Sequence, residues 1–245
     1  LFEFGIDKME LTFMAQKAEH DFAGVQCGIM DQFASMFGKK DQVVLLDCQN
    51  MEYQYFPLQL NGYQIILFDT SVKHALASSE YNTRRKECEQ GIQFIQSKFP
   101  QVQSLRTATL QMLHETVDVN QFPLVYNRCK YVIEEIARTQ AATEDLKQHN
   151  IKAFGAKMFE THDGLSKLYE VSCPELDILI NLVRENDKVI GARMMGGGFG
   201  GCTINIVKEI EAQSVIDQVS HAYQLQTGKA LVHYKVSVEE GVHIV

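Results

Sequence analysis

The 245-residue chain is 45% hydrophobic and 22% charged, with a net charge of −8 and a pI near 5.5, which suits a soluble globular protein of one large or two small domains. The acidic balance argues against a nucleic-acid partner, and no apolar run is long enough to cross a bilayer. The 6 cysteines show no CxxC spacing, so neither a zinc site nor a disulfide framework is suggested, and reduced thiols in a cytoplasmic protein account for them. The chain opens directly into a helical pattern over residues 5–20, with no initiator Met or leader, and reads as a segment of a longer protein. Glu19 closes this helix beside His20 and Asp21. An acid there is, on residue type alone, a solvated group poorly placed for the helix dipole. Gly24-Val25-Gln26-Cys27-Gly28 makes a tight connection into a second helix, whose apolar face carries Ile29, Phe33, Met36 and Phe37. Asp31 and Ser35 take the other face. A helix N-terminus carries partial positive charge that favours a carboxylate and suits nearby phosphate, so Asp31 by itself offsets the dipole.

Gly38-Lys39-Lys40-Asp41 is a turn, and residues 43–47 and 51–56 read as a hairpin around Cys48-Gln49-Asn50. Pro57 and Asn61-Gly62 punctuate a domain boundary before the next strand, residues 63–68. Asp69-Thr70-Ser71-Val72-Lys73-His74 follows that strand as a loop, where Lys73 is a surface lysine by default. A helix from about Ser79 to Phe99 carries Tyr81 in its first turn, a packing aromatic on residue type alone. Arg84, Arg85 and Lys86 read as a solvated basic face balanced by Glu87 and Glu89. Residues 121–159 are helical with a break near His149-Asn150, and 157–169 continue so. Arg128, Lys130, Glu134 and Glu135 lie off the apolar stripe, and His162 reads as packing or surface. Pro174, Glu175 and Asp177 suit the start of another helix.

Gly196-Gly197-Gly198-Phe199-Gly200-Gly201 formally contains GxGxxG. A dinucleotide site requires a helix next, whereas Cys202 to Val207 is a strand pattern, so that reading is rejected. The glycines instead predict a hairpin whose bare backbone approaches a ligand or a neighbouring loop. A helix near 209–226 and strands at 230–236 and 241–245 close the chain, an α+β pattern.

Four stretches in order carry a resemblance. They are Gly24 to Phe33 (GVQCGIMDQF), Ala77 to Arg85 (ASSEYNTRR), Tyr169 to Asp177 (YEVSCPELD) and Gly191 to Thr203 (GARMMGGGFGGCT). Together they resemble galactokinases, members of the GHMP small-molecule kinase family, over essentially the whole chain. The resemblance implies an α+β GHMP-kinase architecture, with residues 1–58 the remainder of the N-terminal nucleotide-binding domain. Residues 59–245 would form the C-terminal domain, with antiparallel sheet and helices. It implies a transferase: a sugar kinase that phosphorylates the anomeric hydroxyl of galactose with ATP and Mg2+, as a cytoplasmic monomer without nucleic-acid or membrane partners.

By the same resemblance Asp31 is the catalytic aspartate that accepts the hydroxyl proton. Lys73 is the cation beside it, where relatives carry Arg, so a planar bidentate contact is lost. The Gly28 N–H and the Tyr81 hydroxyl hold the sugar together with Asp31. Gly197, Gly198 and Gly200 line the phosphate side, and Glu19 holds magnesium. The Arg-His pair common in the family is Lys130-Tyr131 here, with no role assigned. The family's triphosphate loop and an early sugar-gripping segment fall upstream of Leu1, so this stretch alone is expected not to be a competent kinase. Two alternatives stay open: a galactokinase-like protein that senses sugar and ATP and signals to a partner, and a kinase for N-acetylgalactosamine.

Overall fold

The computed structural model describes residues 5–72 and 77–243. The chain divides into two compact units, Leu1–Gln59 with Ser237–Val245, and Leu60–Val236. In the first, Asp7 caps α1 (Lys8–Ala18) by accepting from the Glu10 N–H at 2.9 Å. The helix widens into a π-turn over Glu19–Ala23, which ends at Gly24 in a left-handed conformation. Helix α2 (Met30–Phe37) buries Ile29 and Phe33, as the spacing predicts. Phe33 stacks on Phe37 at 4.4 Å between ring centroids and meets the Tyr53 ring edge-on at 5.2 Å. Tyr53 opens β2 (Tyr53–Pro57), the antiparallel partner of β1 (Gln42–Leu46).

The last residues differ from the sequence reading. They group with the first unit, because the Gly241 N–H donates to Gly38 O and the Val242 N–H to Ser35 O at the end of α2. Residues 241–243 are not a strand; their donors go to a helix end, which leaves no strand partner.

The second unit is built on one antiparallel sheet in the order β4-β5-β3-β6. Its strands are β3 (Tyr63–Asp69), β4 (Val189–Met194), β5 (Cys202–Lys208) and β6 (Val232–Val236). Central β3 reads YQIILFD, buried at Ile65, Ile66 and Phe68, with partners on both edges. Helices α7 (Pro174–Arg184) and α8 (Ala212–Thr227) close a core of Ile66, Phe68, Leu179, Val183, Val215 and Tyr223 over it. Pro174 occupies the first turn of α7, where its missing N–H costs nothing. A second core lies among α3 (Ala77–Lys98), α4 (Leu110–Thr116) and α5 (Pro123–Lys147). Helix α6 (Ile151–Lys167), capped by the Asn150 side chain, packs on β4 and α5. The break at His149-Asn150 falls where the sequence predicts it. Among the described residues no helix is long and apolar enough to cross a membrane.

Candidate active site

The candidate residues of the first unit, Glu19, Gly28 and Asp31, run from the end of α1 through the connection to the first turn of α2. The Gln16 and His20 side chains both reach the Cys27 carbonyl, at 3.2 and 3.0 Å, and pin the connection between α1 and α2. That connection delivers Asp31 to the first turn of α2, with its side chain in solvent while Phe33 is buried beneath. Glu19 is also exposed, and neither carboxylate has a hydrogen-bond or ion-pair partner among the described residues. A Cβ built on Gly28 would meet nothing within 4 Å, so packing among the described residues does not demand a glycine there. Among the described residues no three His, Cys, Asp or Glu side chains gather into a metal site. Glu19 is an exposed carboxylate, the donor type of which a magnesium ion takes one or two, with water and phosphate oxygens filling its shell.

The glycine stretch is a hairpin between β4 and β5, as its sequence predicts, with the Met195 N–H donating to Cys202 O at 2.9 Å. It is clasped from two sides. On one, the Thr70 N–H and hydroxyl both donate to Gly201 O, at 3.0 and 2.8 Å, and the Gly201 N–H donates to Val72 O. On the other, the Phe199 N–H donates to Val171 O at 2.6 Å. Gly198 has φ +89°, and a Cβ on it would stand 2.0 Å from Val171 O; a Cβ on Gly200 would stand 2.3 Å from Val72 O. These glycines are therefore required by packing as well as by conformation. Tyr81 lies against the outer side of the hairpin: a Cβ on Gly197 would meet its ring at 3.6 Å. The structure thus brings Tyr81 and the glycine hairpin together in the second unit. Lys73 lies outside the described residues.

Gly198→Ala is expected to cost about 1–3 kcal/mol of stability by overpacking, beyond the backbone strain of a left-handed residue. Gly196→Ala carries the strain alone, since φ is +74° there and nothing lies within 4 Å. Urea unfolding of the two variants separates these terms, and equal losses would refute the close approach to Val171.

Three polar helix residues are buried: Arg84, which the sequence places on a solvated basic face, Arg128, which it places off the apolar stripe, and His162, a packing residue as its type suggests. Arg84 is buried, with its Nε donating to Tyr169 O at 2.8 Å and Nη2 to Glu170 O at 3.0 Å. Arg128 is 1% exposed and donates to the Leu168 carbonyl, to Glu87 at 3.0 Å and to Glu170 at 2.8 Å. His162, buried in α6, joins Asp177 to the end of β4. Arg84 also pairs locally with Glu80 and Glu87, at 3.4 and 3.7 Å, but the acceptors that bury these side chains lie at least 15 residues away, where local charge patterning does not show them.

Two family models match the chain: the N-terminal domain of GHMP kinases over residues 1–39 and the C-terminal domain over 142–225. Galactokinase from Thermotoga maritima is 38% identical over 98% of the chain. The chain belongs to the GHMP kinase family. A galactokinase from Clostridium acetobutylicum is 40% identical over the same share. The chain spans 66% and 62% of the length of these two relatives. Among solved structures, Lactococcus lactis galactokinase complexed with galactose superimposes with a TM-score of 0.93 at 31% identity, covering 98% of this chain and 62% of that one. Mevalonate kinase from L. major, at 16% identity and a TM-score of 0.58, shows the shared GHMP kinase fold alone. The α+β reading with an antiparallel sheet therefore stands, and GHMP kinases as a family supply the framework for the site.

Proposed function

We propose that the protein is a galactokinase, transferring a phosphoryl group from magnesium-bound ATP to the anomeric hydroxyl of galactose to give galactose 1-phosphate and ADP. The observation that carries this reading is the sustained similarity to galactokinases along nearly the whole chain, joined to an Asp31 that is exposed in the first turn of α2 and has no partner among the described residues. Phosphoryl transfer needs in-line positioning and charge stabilisation more than covalent chemistry. In this reading Asp31 orients the sugar hydroxyl and takes its proton as the new P–O bond forms. A carboxylate with an ordinary pKa near ~3.9 is a weak base at neutral pH, so the proton moves late. The Gly28 N–H and the Tyr81 hydroxyl hold the sugar, Glu19 holds the magnesium ion that screens the phosphates, and Lys73 offsets developing charge. The Gly197, Gly198 and Gly200 backbone faces the phosphate side. Six free thiols support action in a reducing cytoplasm, and the net charge of −8 supports a protein without nucleic-acid partners.

The test is a coupled ADP-release assay on the kinase at full length, with galactose, N-acetylgalactosamine and no sugar. Galactose-dependent ADP release at least tenfold above the other two is expected. Release stimulated equally by N-acetylgalactosamine would shift the substrate, and galactose binding without ADP release would replace catalysis by sensing.

A further inference from the structure

The segment Tyr169–Asp177 contains none of the proposed substrate contacts, yet it is the floor of the glycine hairpin. The Val171 carbonyl receives the Phe199 N–H at 2.6 Å and fills the space where Gly198 has no side chain. One residue on, the Ser172 hydroxyl donates to Asp177 Oδ1 at 2.6 Å, and the Ser166 hydroxyl donates to Asp177 Oδ2 at 3.0 Å. Asp177 Oδ1 also meets His162 Nε2 at 3.1 Å. The other ring nitrogen, Nδ1, lies 3.2 Å from the Met194 backbone N, the last residue of β4. A backbone N–H only donates, so Nδ1 is the acceptor, Nε2 carries the proton and Nε2–H points at Asp177. One carboxylate therefore ties down both chain segments that enter or support the hairpin: Ser172 next to its floor, and Met194 at its stem.

We propose that Asp177, acting through His162 and Ser172, is a positioning residue for the Gly196–Gly201 hairpin, and so for the backbone that faces the nucleotide phosphates. The nucleotide half of this statement rests on the function proposed above; the positional half does not. Rigid first contacts depend on such supporting hydrogen bonds behind them. Asp177 presents only acceptors, and its three donors converge from two elements: α6 supplies His162 and Ser166, and the α6–α7 connection supplies Ser172.

The test is amide hydrogen exchange on the chain itself. Asp177→Ala should speed exchange at Met194 and Phe199 roughly tenfold, the cost of about one lost hydrogen bond, while the Ile66 amide in the sheet centre changes less than threefold. Asp177→Asn should restore protection. Its carbonyl still accepts from His162 and Ser172, and its amide donates to the freely rotating Ser166 hydroxyl. Ser172→Ala, a milder change that removes one bond, should loosen Phe199 more than Met194. Loop amides that exchange as in wild type, or that rise only in step with Ile66, would overturn the proposal. So would an Asp177→Asn variant as loose as Asp177→Ala. In the kinase reaction Asp177→Ala should raise KM for ATP roughly tenfold and leave KM for galactose within twofold. Equal rises in both constants would overturn the nucleotide-side assignment, whereas absence of any kinase activity would strike the proposed function and leave the exchange result standing.

Discussion

Under the proposed function, Asp31→Asn is expected to cut galactose phosphorylation by about 10²–10⁴-fold, the usual contribution of a positioned general base. The substitution keeps size and a hydrogen-bond acceptor, so galactose affinity should fall by less than about tenfold. The fold should be unaffected, because the Asp31 side chain is exposed and has no partner among the described residues whose loss would matter. Phe33 and Ile29, which anchor the helix, are untouched. Losing the first-turn charge weakens the interaction with the helix dipole by only about 0.3–1 kcal/mol. Steady-state turnover and galactose titration on the same preparation separate the two effects. Turnover within threefold of wild type would remove Asp31 from the chemistry.

Arg128→Met should lower the free energy of unfolding by about 3–5 kcal/mol, the range for breaking a buried ion pair from one side. Burial works against the Arg128 charge, and hydrogen bonds to Glu170 and Glu87 more than offset it, so its pKa is raised. The methionine fills most of the volume but leaves the Leu168 carbonyl without its buried donor and Glu87 with a more distant cation, Arg84 at 3.7 Å. The loss carries a pH signature. The hydrogen bond from Arg128 holds the Glu170 carboxyl below the ordinary glutamate range. A depressed folded-state pKa contributes stability above the unfolded value, near ~4.3, and loses it as pH falls through the folded value. The gap between wild type and Arg128→Met should therefore narrow below about pH 4, and urea melts at pH 7 and pH 3.5 would show it. A gap under 1 kcal/mol at pH 7 would mean the buried cluster is dispensable.

The stability and the site meet in one segment. Arg84 and Arg128 hold residues 168–170 from α3 and α5, and Asp177 with Ser172 holds the residues after them. Tyr81 lies one turn before Arg84 on α3. A loss at Arg128 should therefore loosen the floor of the glycine hairpin as well as the helical core.

Much of this was open to sequence reasoning, and the reason is periodicity. The 3.6-residue spacing of Ile29, Phe33 and Phe37 placed α2 and put Asp31 on its exposed side. Strand alternation after Gly201 separated a hairpin from a dinucleotide site. Pro174 marked a helix start through its own backbone chemistry, and His149-Asn150 marked a break between helices. What only the tertiary structure decided is the fate of polar residues in helices. Arg84 and Arg128 occur among Glu and Lys, a pattern equally suited to water, and His162 gives no local hint of its partners. Their burial follows from acceptors 40 to 86 residues away for the arginines, and 15 and 32 away for the histidine. The return of residues 237–243 to α2 is of the same kind. A buried charge is tolerated only where its hydrogen bonds are met, and whether they are met depends on which distant segments the fold brings together.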